Sequence, residues 1–242
     1  MRHTWLQWIC LICSSMLLLK FSIVTAEGSR WPREDDTLNT LMISWHNEAR
    51  RRMSECLVPG QPVSERLPQL VYDQQLAEQA QRWANNCTIN HDKPSDRKHP
   101  KWQYVGQNWA ADHSYESSFN SWFVEHMNYT FDTMECDPGV ECGHYTQIVS
   151  ARTTHIGCGS AMCKKSVRFP WRVTVTCNYG PNGNVRTIHP YKKAGPAVCE
   201  GVRKLDTPIA SVETSTIPPE TAEEKARRVK RKQIRTCECS EN

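Results

Sequence analysis

Twelve cysteines in a chain of 242 residues constrain the fold more than any other feature, once they are read against the N-terminus. Residues 1–26 have the plan of a secretory signal: Arg2 and His3, an apolar stretch from Trp5 to Leu19, then Val24, Thr25 and Ala26 ahead of Glu27. Lys20 is out of place in such a signal, and an uncleaved signal anchor is the competing reading. Cleavage after Ala26 removes Cys10 and Cys13 and leaves an even set: Cys56, Cys87, Cys136, Cys142, Cys158, Cys163, Cys177, Cys199, Cys237 and Cys239. In an oxidising compartment an even set pairs as disulfides, and without a paired C-x-x-C pattern a zinc ribbon has little footing. Spacing alone does not choose among the many pairings. The expectation is a secreted, extracellular, cross-linked and monomeric domain.

Charge narrows the partners. The net charge is +4, yet residues 27–200 hold 19 Lys/Arg against 19 Asp/Glu. A neutral domain lacks the electrostatic footprint of a nucleic-acid binder. Beyond the leader no apolar run is long enough to cross a bilayer, so no stable membrane insertion is expected. The hydrophobic fraction of 38% and mean hydropathy of −0.64 point to an unfolded tail. Residues 207–221 contain nine Ser, Thr or Pro, and residues 225–235 seven basic groups; neither stretch offsets its ordering entropy by burial. The chain therefore divides into a signal (1–26), a short N-terminal segment (27–36), a domain (37–200) and a disordered tail (201–242). Within the tail, Arg228, Lys230 and Arg231 fit the R-x-[K/R]-R pattern of furin-type processing. A solvated basic run, or one that binds anionic glycans, is the alternative.

Within the domain, three helices are expected. One covers 38–53, with Leu38, Leu41, Met42, Trp45 and Ala49 inward, Glu48, Arg50 and Arg51 outward, and Thr37 as cap. A second runs from Gln74 to Asn86 behind an Asp73 cap, with Leu76, Ala77, Ala80, Trp83 and Cys87 on its inner stripe. The third covers Tyr115 to Met127 behind Ser114. Pro170 to Tyr179 alternates as a half-buried strand, and Thr154 to Cys163 is its antiparallel partner. Helices and strands without βαβ alternation make the class α+β. Two sequons occur, Asn86-Cys87-Thr88 and Asn128-Tyr129-Thr130; Asn128 is the better glycosylation candidate because a cysteine sits inside the first.

No nucleophile elbow, H-E-x-x-H, phosphate loop or dinucleotide fingerprint is present. His91, Glu125 and His144 sit in suggestive places, but their convergence does not follow from spacing. Four motifs in order change that reading: His46-Asn47-Glu48-Ala49-Arg50, Gly106-Gln107-Asn108, Gly143-His144-Tyr145-Thr146-Gln147-Ile148-Val149, and Val175 through Asn184. Together they resemble the CAP superfamily (cysteine-rich secretory proteins, antigen 5 and pathogenesis-related class 1 proteins), most closely its venom allergen-like, or sperm-coating-protein-like, members.

The resemblance implies a three-layer α-β-α sandwich around a small antiparallel sheet, with a cleft lined by His91, Gln107, Glu125 and His144. Gln107 departs from the usual Glu, and an amide supplies neither charge nor a general base. Weak zinc or magnesium binding at His91 and His144 is the most such a site would hold; no cofactor is required. Ser150 departs from a usual Trp and Trp109 from an aliphatic residue. The resemblance also implies disulfides Cys87–Cys163 and Cys158–Cys177; Cys136 and Cys142, six residues apart before His144, are placed to close on each other, Cys56 and Cys199 are the domain pair that remains, and Cys237 and Cys239 lie in the tail.

Three functions compete. The first is binding of a small hydrophobic molecule: the resemblance implies sterols near the loop Tyr129–Glu141, which holds Tyr129, Phe131 and Met134, or fatty acids between two helices, while in the bland reading Tyr129 and Phe131 only pack the loop onto the third helix. The second is an interaction module with an unidentified extracellular protein partner, such as a protease inhibitor, receptor ligand or immune modulator. The third is a hydrolase using Thr146 or Ser150 with His144, which lacks a recognisable oxyanion hole.

Overall fold

The computed structural model describes residues 37–164, 170–181, 184, 185, 187–199 and 209. The leader, the sequence around Arg228–Arg231, and Cys237 and Cys239 lie outside these residues. The first helix, α1, spans Thr37–Ser54, so Thr37 opens the helix instead of capping it. Helix α2 spans Gln74–Ala84, with the Asp73 carboxylate accepting from Leu76 N–H. Helix α3 spans Tyr115–Phe123 behind a reciprocal Ser114/Ser117 capping box, then tightens into a 3₁₀ turn over Val124–Asn128. A short α4 covers Gly143–Ile148.

Four strands form the central sheet in the order β2-β6-β7-β3. These are Val71–Tyr72 (β2), His155–Met162 (β6), Val173–Gly180 (β7) and Gly106–Asp112 (β3). β6, β7 and β3 are antiparallel, while β2 adds a two-residue parallel edge on β6. Two small ribbons flank them: β1 (Pro62–Ser64) pairs with β8 (Lys193–Val198), and β4 (Tyr129–Thr130) with β5 (Glu135–Cys136). Helix α2 covers one face of the sheet, and α1, α3 and α4 cover the other. This is the expected three-layer sandwich.

Burial on both faces corrects the half-buried strand. Every residue of β7 is buried, because α2 lies directly on the polar face of Thr174, Thr176 and Asn178. Two glycines permit that contact. A Cβ on Gly157 would stand 2.1 Å from Ala77 N, and one on Gly159 2.2 Å from Gln81 Cα. Leu76 and Ala80 thereby become fully buried, and burying a leucine contributes roughly 1.5–3 kcal/mol. Trp83, expected on the inner stripe, is only half-buried, and its indole donates to Asn90 O.

Arg50 corrects the first helix. It faces inward, 2% exposed, and its guanidinium donates to Ile148 O, Ser150 O, Thr153 O and Pro68 O at 2.6–3.1 Å. Those carbonyls belong to chain lying outside the strands, so an interior fork of donors serves them where a neighbouring strand does not. Burial lowers the Arg50 pKa to about 9, leaving it charged at neutral pH. One turn earlier, His46 Nδ1 donates to Met42 O at 2.6 Å and Nε2 accepts from the Tyr179 hydroxyl at 2.8 Å. Asn47 exchanges bonds with both backbone groups of Leu70.

Four disulfides lie among the described residues: Cys56–Cys199, Cys87–Cys163, Cys136–Cys142 and Cys158–Cys177. Cys87–Cys163 and Cys158–Cys177 are the pairs the resemblance implied, Cys136–Cys142 closes the short loop before His144, and Cys56–Cys199 is the remaining pair. Ile209, assigned from composition to the disordered tail, is 2% exposed and belongs to the hydrophobic core.

Two outcomes follow. Arg50→Ala should cost more than about 3 kcal/mol in denaturant unfolding, and Arg50→Lys nearly as much, because an ammonium does not reproduce the fork; a loss under about 1 kcal/mol would contradict the clamp. Acid should also weaken the fold. Burial holds the His46 pKa at about 3 against an ordinary 6.5, so below pH 6.5 the unfolded chain gains a proton the folded chain refuses. Stability should then fall as pH drops from 6.5 towards 3, by up to ~1.4 kcal/mol per pH unit from this residue. Midpoints measured across that range should slope less in His46→Gln.

Candidate functional site

The cleft forms where β3 is the sheet's edge strand, and it draws one pair of side chains from each layer. From the α2 side, the chain leaving the helix brings His91 Nδ1 to 2.9 Å from Gln107 Oε1. Gln107 Oε1 also accepts from Asp92 N–H at 3.3 Å, while its Nε2 donates to Asn178 Oδ1 at 3.1 Å. An obligate backbone donor on one side and an acceptor on the other fix which way this amide points. His91 therefore carries its proton on Nδ1 and presents an Nε2 lone pair. Its pKa is lowered, first by burial, with repulsion from His144 adding to the effect and the Gln107 bond opposing it.

From the opposite layer, the 3₁₀ turn carries Glu125. Its carboxylate accepts from His144 Nδ1 at 2.5 Å and from the backbone N–H groups of His144 and Tyr145 at 2.9 and 3.0 Å. Two of those donors are the first amides of α4, which lack partners inside the helix. His144, like His91, engages its partner through Nδ1, so Nε2 is the ring nitrogen left for a ligand. Trp122 stacks at 5.9 Å on His144 and donates its indole N–H to Trp109 O. Asn108 donates to His144 O, and Trp109 sets its ring edge-on to His91 at 6.2 Å.

The four expected cleft residues thus form two hydrogen-bonded pairs. Spacing did not indicate Asn178, Asn108 or Trp122, whose partners lie far away in the chain; the alternation that sets Gln107 beside Asn178 in facing strands was the available signal. Trp109, noted as a departure, is a cleft wall.

Two imidazole Nε2 atoms left for a ligand fit a divalent transition metal, and His91 and His144 are the residues that would hold it. Gln107 gives no negative charge there, and among the described residues no group of three or more His, Cys, Asp or Glu is arranged around an ion. That donor set fits weak binding in which water supplies most ligands. Neither hydroxyl weighed as a nucleophile is bonded to His144 among the described residues. The Thr146 hydroxyl lies among three acceptors, Cys142 O, Gly143 O and Asn184 Oδ1, and Ser150 is fully buried.

The loop expected to hold lipid is placed differently from that expectation. Tyr129 and Phe131 are buried in the core, Tyr129 against Tyr145 at 5.8 Å. Met134 is half-buried at φ 59°. Phe131 instead lines a separate, mainly apolar pocket of about 600 Å³ with Ala151, Ile188, His189, Pro190 and Tyr191. A larger, more polar groove of about 1000 Å³ runs between α1 and the chain after β1. Of the sequons, Asn86 is exposed in the turn after α2, whereas Asn128 is half-buried with its carbonyl accepting from Asp137 N–H.

A three-layer sandwich with this two-histidine cleft defines a CAP domain. The chain belongs to the cysteine-rich secretory protein family, whose pattern matches residues 43–179. It is 33% identical to GLIPR1-like protein 1 of Bos taurus over 64% of each chain. It is 35% identical to Peptidase inhibitor 16 of Mus musculus, over 64% of this chain and 30% of that one. The matched part is thus under two thirds of the bovine relative and under one third of the mouse one. Among solved structures, venom allergen-like protein 4 of Schistosoma mansoni superposes with a TM-score of 0.58 at 28% identity, over 64% of this chain and 94% of that one.

Isothermal titration with zinc should give weak binding that His91→Ala and His144→Ala each abolish. Gln107→Glu should tighten it several-fold, since a carboxylate beside His91 adds charge and basicity; the Asn178 amide must then flip and give up its 3.4 Å bond to Leu76 O. Unchanged affinity in Gln107→Glu would mean that position 107 does not act on the ion.

Proposed function

We propose that this chain is a secreted, extracellular CAP-domain protein that binds a small hydrophobic ligand, a sterol or a fatty acid, and is not a hydrolase. The observation that carries the reading is the apolar pocket beside Phe131. It is an open depression of about 600 Å³ whose exposed lining is mostly apolar, the lining character of small-molecule sites. Ile188, 49% exposed, is the wall a ligand would cover. The leader-like N-terminus and the four disulfides support secretion, since such cross-links persist in oxidising compartments. Against hydrolysis stands that, among the described residues, neither Thr146 nor Ser150 bonds to His91 or His144, where an activated nucleophile needs a base within reach.

Mass spectrometry of the protein secreted from a eukaryotic host should find retained lipid, and Ile188→Glu should remove it without lowering the melting temperature. Clean protein that also fails to take up added sterol or fatty acid would refute the reading. A second reading, inhibition of a peptidase, is favoured by the likeness to Peptidase inhibitor 16. Inhibition of any member of a protease panel at stoichiometric protein would establish it.

A further inference from the structure

The two sequons stand in different surroundings. Asn86 follows the last turn of α2, with its backbone N–H donating to Trp83 O and that of Cys87 to Ala84 O, both at 3.0 Å. Asn86 and Thr88 are both exposed, and a bulky, hydrophilic sugar is tolerated where it projects into solvent. In the second sequon Asn128 is half-buried and the middle residue, Tyr129, belongs to the core, its carbonyl accepting from Gln61 Nε2 at 2.8 Å.

The cysteine inside the first sequon counted against it, because a disulfide withdraws the extended chain that an oligosaccharyl transferase needs. The fold removes that objection. Cys87 pairs with Cys163, 76 residues further on. At ~5–20 residues per second, synthesis delivers Cys163 roughly 4–15 s after Cys87, and forming the bridge takes seconds or longer again. Asn86 is open to transfer throughout that interval, and the folded turn, with Cys87 at φ 52°, closes it afterwards. The second sequon has no such interval: Cys136–Cys142, with a separation of 6, closes directly behind it.

The same bridge carries exposed apolar surface. Ile89, two residues past Cys87, is 45% exposed, and Met162, next to Cys163, is 63% exposed. The Cα atoms of the two cysteines are 5.8 Å apart, so both side chains and Asn86 are grouped at one place. Single exposed apolar residues are ordinary, whereas grouped ones call for an occupant. On the reading that this chain is secreted, we infer that Asn86 carries an N-linked glycan whose inner sugars cover Ile89 and Met162.

The test takes the full chain from the medium of a eukaryotic secretory host, removes N-glycans enzymatically in heavy-oxygen water, and maps the peptides. Asn86 should be converted to labelled aspartate in most molecules, with Cys87 and Cys163 paired in the same material. Asn86→Gln and Thr88→Ala should each abolish the label, and Thr88→Ser should keep it. Removing the glycan from the folded protein should raise binding of an anilinonaphthalene dye, and Ile89→Ser with Met162→Ser should cancel that rise. Secreted protein with Asn86 unmodified, or with a glycan at Asn128 alone, would overturn the inference and leave the secretion reading standing. Dye binding that glycan removal does not change would overturn the covering of Ile89 and Met162. A chain that never enters the secretory pathway would overturn the inference together with the reading beneath it.

Discussion

The Arg50 guanidinium is the interaction on which the rest of this fold depends. It stands in the interior without a carboxylate partner, and carbonyl dipoles from Pro68, Ile148, Ser150 and Thr153 take the place of a counter-ion. A buried charge is costly unless its hydrogen bonds are complete. The arrangement therefore enforces itself: any shift of the chain leaving α4, or of the chain before β2, opens a gap around a charge that water does not reach. His46 and Asn47 extend the clamp to Tyr179 on β7 and to Leu70. The short H-N-x-x-R motif is thus a structural tie from α1 to three other parts of the molecule.

The cleft inherits its geometry from that tie. Arg50 grips the end of α4, and α4 carries His144 into the Glu125 carboxylate. The glycines of β6 let α2 settle on the sheet, and the chain leaving α2 brings His91 to Gln107. Both imidazoles are then engaged through Nδ1, by a carboxylate on one side and an oriented amide on the other. Two rings engaged through the same nitrogen by chemically different partners make a site suited to accepting a ligand, and the nearby Thr146 hydroxyl is bonded elsewhere.

Much of this was legible in the residues. Asp73 and Ser114 mark the starts of their helices, because a short oxygen-bearing side chain satisfies the first free amides. The alternation around Cys177 marks β7. Periodicity failed at Arg50, since a helical pattern assigns a guanidinium to solvent and carries no information about distant carbonyls. It failed again at Thr174, Thr176 and Asn178, read as the wet face of a strand, because α2 covers them from a segment some ninety residues earlier. The meeting of His91, Gln107, Glu125 and His144 was implied only by resemblance. Phe131 was legible as an apolar residue of its loop; its place as a buried pocket wall required the segment Ile188–Lys193, which no motif marks.

The central claim is that the fold engages both imidazoles of the cleft through Nδ1 and leaves their Nε2 atoms for a ligand. Long-range proton–nitrogen correlation spectra of the histidine rings test it most directly. Near pH 7.5, His91 and His144 should both carry a proton on Nδ1, and His91 should show the Nε2 shift of an unprotonated nitrogen and keep it below the pH at which an ordinary histidine titrates. An Nε2-protonated tautomer at either residue would contradict the account, because Gln107 or Glu125 would then not be the partner that orients the ring.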